Sequence, residues 1–455
     1  MSNAEIPAQT QNIKRPVLLL VAGNWWPTAA RMAVALIENG CTVAAVCPPE
    51  HPLRYVQGVQ QIRTLRALAS RRSLEQAMHC VQPDLVVPCD DRSVAQLHEL
   101  HRLRPQLRAL IERSLGRSSG FEVVESRHEL LDTARELGIR VAGTCGVRSA
   151  AEASHCFARG APSALLKTDS TSGGEGVRIV RSAREAAATF RRMRFGASLA
   201  VALKRLLVNR DPMALWSWGR RRRTAISLQE FVSGIPANIM VACWRGEILA
   251  EVSVKTLSCQ GPTGASLVVQ LIQNRQLSHA AAMLAARFGM SGFFGLDFIL
   301  QEGTGAAYLI EMNPRCTQLG HLALPQGDLA GALCAALLGR ERPPRAGTAI
   351  ATDTIAFFPQ AFLWGARNAF LGHVHHDVPW EQRQLVKALM QAPWPQRTWL
   401  ARLYHLLRRP TALQATEAVP IEQLVECEIP VRAPTDRLFP VPVPPARAMG
   451  STPRL

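Results

Sequence analysis

Asp297, Glu311, Asn313 and Arg315 fall within one short stretch, Phe294–Gly320. Asp297 lies in the apolar run Phe293–Leu300. Glu311 closes a second run, Ala306–Ile310, and the polar, glycine-bearing segment Gln301–Gly305 separates the two. Two apolar runs joined by a short Gly-containing turn predict a β-hairpin. That hairpin folds Asp297 back beside Glu311. Asn313 stands two residues past Glu311, so on a strand it projects from the same face. Three hard oxygen donors then converge, a set that suits Mg²⁺ and leaves its other positions to water and phosphate. Arg315 follows where a guanidinium reaches an anion held at that point. The competing reading is a surface hairpin with unrelated charges, for which Glu-Met-Asn-Pro-Arg at a strand end is an unusual string.

A second candidate is Ala164–Val180, ALLKTDSTSGGEGVRIV. A strand ending at Lys167 leads into a Ser-, Thr- and Gly-rich loop, and a second strand, Val177–Val180, leaves it. Gly173, Gly174 and Gly176 allow backbone N–H groups to approach a phosphate closely. Ser170, Thr171 and Ser172 add hydroxyls, and Lys167 adds a point charge. Lysine is scarce in a chain whose default cation is Arg, and the two are not interchangeable. A hairpin that holds no phosphate has the same look, so the loop alone leaves both readings open.

The elements that must position these groups follow from the apolar patterning. Pro16–Ala22 predicts a strand, Thr28–Asn39 a helix closed by Gly40, and Thr42–Cys47 a second strand. This β–turn–α–β unit predicts a parallel sheet of Rossmann-like type. Gly-Asn-Trp-Trp-Pro lacks the three-glycine dinucleotide fingerprint, so no NAD site is expected there. Pro83–Pro88 is a further strand. Asp90 and Asp91 follow it, either as ligand-facing carboxylates at the sheet's carboxyl edge or with Asp91 or Ser93 capping the next helix. Ser126–Leu137 predicts a helix stopped by Gly138, Arg140–Gly143 a short strand, and Ala150–Ala158 a helix. Phe195–Arg223 predicts an inserted helix over Ala197–Val208 and a mobile basic loop at Arg220–Arg223. Docking on its own domain is preferred there to membrane contact. Ile226–Val232 is a strand. Ile239–Cys243 and Glu247–Val254 flank a turn at Arg245-Gly246, and Lys255 follows. Gly261–Gly264 is a loop. Ser278–Phe288 and Asp328–Leu338 predict helices stopped by Gly289 and Gly339.

The length of 455 residues predicts two to four domains. No apolar run approaches the ~18 residues of a membrane span, and the polar N-terminus lacks a signal-peptide core. Eleven scattered cysteines without a Cys-x-x-Cys pair predict free thiols and a cytoplasmic location. The net charge of +17 is mostly Arg spread along the chain. With no nucleic-acid module beside it, it fits anionic substrates or a membrane face better.

Lys with its glycine loop, then Gln-Glu-Phe-Val, then Asp…Glu-Met-Asn-Pro-Arg stand in a fixed order that resembles the ATP-grasp superfamily over roughly Arg113–Arg340. That superfamily includes biotin carboxylase, carbamoyl phosphate synthetase and D-alanine–D-alanine ligase. The resemblance implies a mixed α/β and α+β chain: a Rossmann-like parallel-sheet domain at 1–112, then a two-lobed ATP-grasp domain at 113–345. Its N lobe would span about 113–228 and its C lobe about 229–345. A C-terminal α/β extension at 346–409 and a disordered Pro-rich tail at 410–455 would follow.

The resemblance also implies ATP with Mg²⁺ or Mn²⁺ as cofactors. It places Lys167 on the ATP phosphates, with Gly173, Gly174 and Gly176 covering them. Gln229, Glu230 and Val232 fall on the strand that serves the adenine, and Asp297, Glu311 and Asn313 on the metal. Arg315 is implied to steady the transferring phosphoryl group, and Lys255 to face the γ-phosphate. Two departures stand out. Arg127 replaces a Lys at a helix start and is implied to keep that residue's charge for the nucleotide, and Pro236 occupies the place of a ribose carboxylate, with Asn238 as its substitute. The implied activity is a carboxylate–amine ligase working through an acyl phosphate. Another ATP-grasp carboxylation or phosphorylation, or a non-catalytic ATP-binding module, is the alternative. Expected partners are small-molecule carboxylate and amine substrates and a second copy of the chain. No nucleic acid or transmembrane segment is expected, and peripheral membrane contact at most a weak one.

Beyond the resemblance, Thr354–Phe358 predicts a strand. His373, His375, His376 and Asp377 suggest a metal site, but a surface loop is favoured because no second ligand cluster accompanies them. Trp399–Arg409 predicts a basic amphipathic helix.

Overall fold

The computed structural model describes residues 15–66, 68–160, 163–169, 176–195, 199–208, 211, 213–221, 225–260, 264–324, 327–340, 352–365, 374–391 and 399. The expectations for Ser170–Ser172, Gly173, Gly174, Arg222, Arg223, 261–263, His373 and the 410–455 tail lie outside these residues, as does all of Trp399–Arg409 except Trp399.

Strands β1 (Val17–Val21), β2 (Thr42–Cys47), β3 (Val59–Thr64) and β4 (Leu85–Pro88) form a parallel sheet in the order β3-β2-β1-β4. The central runs are continuously apolar and buried, as a sheet covered on both faces requires. Because the strands run parallel, Gly23 after β1 and Asp90 and Asp91 after β4 emerge at the same edge.

A second, antiparallel sheet contains β5 (Thr144–Val147), β6 (Ala164–Thr168), β7 (Val177–Val180) and β8 (Ile226–Glu230), in the order β5-β8-β6-β7. Ala164, Leu166, Ile226 and Leu228 pack with Ala153, Ala186 and Phe190 from the helices Ala150–Ala158 and Ala183–Phe195. Strand alternation turns Lys167, Ser227 and Gln229 to the other face.

The third sheet begins with β9 (Gly234–Trp244), β10 (Glu247–Cys259), β11 (Ser266–Leu271), β12 (Gly292–Gln301) and β13 (Ala307–Asn313). A two-stranded ribbon, β14 (Ala323–Leu324) and β15 (Gly327–Asp328), follows. Then β16 (Thr354–Phe357) and β17 (His375–Asp377) complete the order β13-β12-β9-β10-β11-β16-β17. One face packs Ile239, Val241, Phe294, Leu296 and Phe298 against Leu130, Leu131, Leu277 and Leu284 of the helices Arg127–Glu136 and Arg275–Phe288. On the other face Asp297 stands opposite Asn238 on β9 and Glu311 on β13.

Several sequence expectations change. Arg140–Gly143 is not a strand: only Val141 makes a bridge, to Leu309, and β5 starts at Thr144. Arg220 and Arg221 end a helix, Ala214–Arg221, instead of forming a mobile loop. Arg220 lies over the Trp216 ring and donates to Glu125 Oε2 at 2.7 Å, which extends the helix to the arginines. Cys41 and Cys334 are joined by a disulfide, so the expectation of free thiols fails for this pair. Their positions, 293 residues apart in sequence, gave no spacing signal. His375–Asp377 is a strand, not a surface loop, because Asp377 is buried between Arg31 and His321. Among the described residues no helix is long and apolar enough to cross a membrane.

Gly116 and Gly138 both have positive φ, +114° and +81°, but differ in surroundings. A Cβ on Gly116 would meet the Gly289 carbonyl oxygen at 2.9 Å, whereas one on Gly138 meets nothing within 4 Å. In urea melts Gly138→Ala should lose about 1 kcal/mol. Gly116→Ala should lose at least about 2 kcal/mol more, since backbone must move. Equal losses would contradict this packing.

Candidate active site

The open face of the small sheet and the Asp297 face of the large sheet meet along a seam. From the small sheet, Lys167 Nζ donates to Gln229 Oε1 at 2.6 Å. Gln229 Nε2 donates to Thr144 Oγ1 at 3.0 Å and to the Ile310 carbonyl of β13 at 3.2 Å. One buried amide thus ties the Lys167 strand to the metal hairpin. Burial lowers the Lys167 pKa to about 8, the nearby Arg127 charge adds to this, and Glu311, Asp297 and Asp169 oppose it.

From the large sheet, Asp297 accepts from Asn313 Nδ2 at 3.0 Å and from Asn238 Nδ2. Burial, and then the Glu311 charge, push Asp297 up to about 6. Arg127, the first residue of its helix, donates to Asp169 Oδ1 at 3.0 Å and to Glu311. Burial acts against the Arg127 charge, but Glu311 and Asp169 outweigh it and hold its pKa above the ordinary value. Asp169 itself is buried, which raises it to about 6. Arg315 closes the seam toward the first sheet. Its Nε and Nη2 hold Asp91 at 2.7 and 3.1 Å, and Nη2 also reaches Asn313 Oδ1 at 2.9 Å. The helix cap is Asp90, which accepts from Ser93 N at 2.9 Å, so Asp91 is left to the ion pair.

Asp297, Glu311, Asn313, Arg315, Lys167, Gln229 and Arg127 are therefore gathered in one place, and Asn238 is bonded into it. Gly176 accepts Thr168 N–H at 3.0 Å and closes the base of the β6–β7 loop. Glu230 is exposed at the end of β8, and Val232 lies beyond that strand. Lys255 is not gathered. It lies inside β10 opposite Ala237, while Val254 is opposite Asn238. Paired residues share a face, so Lys255 points to the side away from Asp297 and acts electrostatically on Asp353. The sequence reading missed Asp169 and Thr144. Asp169 had a signal, a carboxylate two residues after Lys167 at a strand end. Thr144 had none.

The donor set fits Mg²⁺. Two directly opposed carboxylates offer only hard oxygens, and each Asp297 oxygen keeps a lone pair beyond its one N–H partner, while the Asn313 amide oxygen is turned to Arg315. Burial raises the Asp297 pKa first, and the Glu311 charge raises it further; a dication would offset that second effect. Among the described residues no group of three His, Cys, Asp or Glu stands together as a metal cluster.

The sequence profile described as the ATP-grasp domain matches residues 214–318, from the insertion through Arg315. Over those residues the chain is similar to the ATP-grasp domain. Solved structures share this ATP-grasp fold. The biotin carboxylase domain dimer of Hydrogenobacter thermophilus 2-oxoglutarate carboxylase, with MgADP, ADP and bicarbonate, aligns with TM-score 0.52 and 16% identity, over 72% of this chain and 71% of that one. Carboxyaminoimidazole ribonucleotide synthase from Aspergillus clavatus, with ATP, aligns with TM-score 0.52 and 14% identity over 72% and 78%. An N5-carboxyaminoimidazole ribonucleotide synthetase with ADP aligns with TM-score 0.51 and 15% identity over 72% and 79%. No curated protein sequence matches the chain.

Two tests follow from the ATP-grasp seam. Arg127→Ala leaves two carboxylates facing each other without their cation, and should cost about 3–5 kcal/mol in denaturant melts. Adding Asp169→Asn should recover part of the loss; no recovery would deny the triad. Lys167 is charged below pH 8 and neutral above it. Nucleotide affinity should thus be full below pH 8 and weaken as the pH rises through that value. Titration calorimetry on Lys167→Arg should show a flat profile across the same range.

Proposed function

We propose that the protein is an ATP- and Mg²⁺-dependent ligase that activates a small-molecule carboxylate as an acyl phosphate and joins it to an amine. The observation that carries this reading is the convergence of the buried Lys167 ammonium with Asp297 and Glu311, closed on one side by Arg315. A carboxylate is a poor acyl donor because oxide is a poor leaving group, whereas phosphate leaves readily. Lys167 binds the phosphates, within reach of the Gly176 turn at the loop base. Asp297 and Glu311 would hold Mg²⁺, which would supply charge neutralisation across the phosphates when bound, and Asn313 orients the Asp297 carboxylate. Arg315 offers donors to the phosphoryl group in transfer while Asp91 fixes its orientation. Arg127 holds the Glu311 carboxylate in place. The apposed sheets exclude water that would hydrolyse the acyl phosphate. The ADP and ATP held by the similar structures support the nucleotide part of this reading.

The assay is ADP release against pools of carboxylic acids and amines. Release that requires one acid and one amine together is the expected result. Lys167→Ala, Asp297→Asn and Arg315→Ala should each lower kcat by roughly 10²–10³. Nucleotide binding with no turnover in any pool would overturn the ligase reading.

A further inference from the structure

The insertion between the helix Ala183–Phe195 and β8 is not used by the chemistry above. Its second helix, Ala214–Arg221, is rooted in the first domain. Met213 is fully buried in that domain's core, Trp216 Nε1 donates to Glu99 Oε2 at 3.0 Å, and Arg220 pairs with Glu125. Just before it, Asp211 takes both bonds of Arg92, at 2.7 and 2.8 Å. The insertion is thus held at a fixed place.

Its first helix, Leu199–Leu207, does the opposite. Leu199, Leu203 and Leu207, spaced four apart, fall on one side of the helix and are 46%, 40% and 66% exposed. Such a contiguous row of large apolar side chains on a fastened helix marks an interaction surface. The sequence through it is basic, and the next carboxylate, Asp211, is paired with Arg92. From Phe190 to Arg210 the sequence has Arg191, Arg192, Arg194, Lys204, Arg205 and Arg210 and no carboxylate. A short helix with leucines along one side and cations beside them has the make-up of an element lying in the headgroup region of an anionic bilayer. At nine residues it is too short to cross one.

We propose that the Leu199–Leu207 helix binds the surface of anionic phospholipid membranes, with Leu199, Leu203 and Leu207 entering the acyl boundary and the basic residues around them facing the headgroups. A neutral protein groove would accept the leucines but would gain nothing from the basic character of this stretch. This proposal stands apart from the ligase reading, since none of these residues touches the seam.

The full chain is sedimented with phosphatidylcholine vesicles with and without phosphatidylserine. The expected result is pelleting with the anionic vesicles alone, lost on raising the salt. Leu203→Ser with Leu207→Ser should weaken it at least about ten-fold. Lys204→Gln should weaken it about five-fold. Leu103→Ser, at an exposed leucine elsewhere, should leave it unchanged. Unchanged melting of each variant shows that the fold persists, as expected for exposed positions. Absence of pelleting, equal pelleting with neutral vesicles, or binding insensitive to the leucine pair would each overturn the proposal. So would a dimer that the leucine variant dissociates in the absence of vesicles, which would give the stripe to a second copy of the chain.

Discussion

Charge buried between two sheets must be matched, and here the matching element is Arg127. Its guanidinium stands between Asp169 of the small sheet and Glu311 of the large one. Without it, the buried Asp169 and the half-buried Glu311 would face each other with no cation between them, a costly arrangement. The bonds also run from one sheet to the other, so the same pairing that permits burial fixes how the two sheets meet. Gln229 adds a neutral tie in the same place, holding Lys167 on one side and a β13 carbonyl on the other. Lys167, Asp297 and Arg315 are positioned by this frame.

A comparable logic holds the first domain in place. Arg315 grips Asp91 at the carboxyl edge of the parallel sheet, and Arg92, its neighbour, grips Asp211 of the insertion. Two consecutive residues of one helix start thus connect the first domain to the large sheet and to the insertion. The edge where parallel sheets bind ligands is also where the lobes are fastened.

Much of this was legible in the sequence where the signal is local. The hairpin around Asp297 and Glu311 follows from two apolar runs and a glycine turn, and the face shared by Glu311 and Asn313 follows from strand alternation. Lys167 at a strand end before a glycine loop was readable for the same reason. What failed depended on register or on distant partners. The strand carrying Lys255 is longer than its pattern suggested, and its register puts Lys255 opposite Ala237, behind the sheet. Arg127 was read as a nucleotide contact because nothing local shows that Asp169 and Glu311 claim it. Arg220 looked like a loop residue until Trp216 and Glu125 were seen beside it. The link between Cys41 and Cys334 spans most of the chain. Strand periodicity reports a face, but not which distant charge waits opposite.

The central claim is that one seam holds the nucleotide, with the ammonium on one wall and the two carboxylates on the other. A crystal structure grown with MgADP tests it most directly. The account predicts a terminal phosphate oxygen within hydrogen-bond reach of Lys167 Nζ and a cation liganded by Asp297 and Glu311. A nucleotide bound elsewhere, with Lys167 still held only by Gln229, would contradict it.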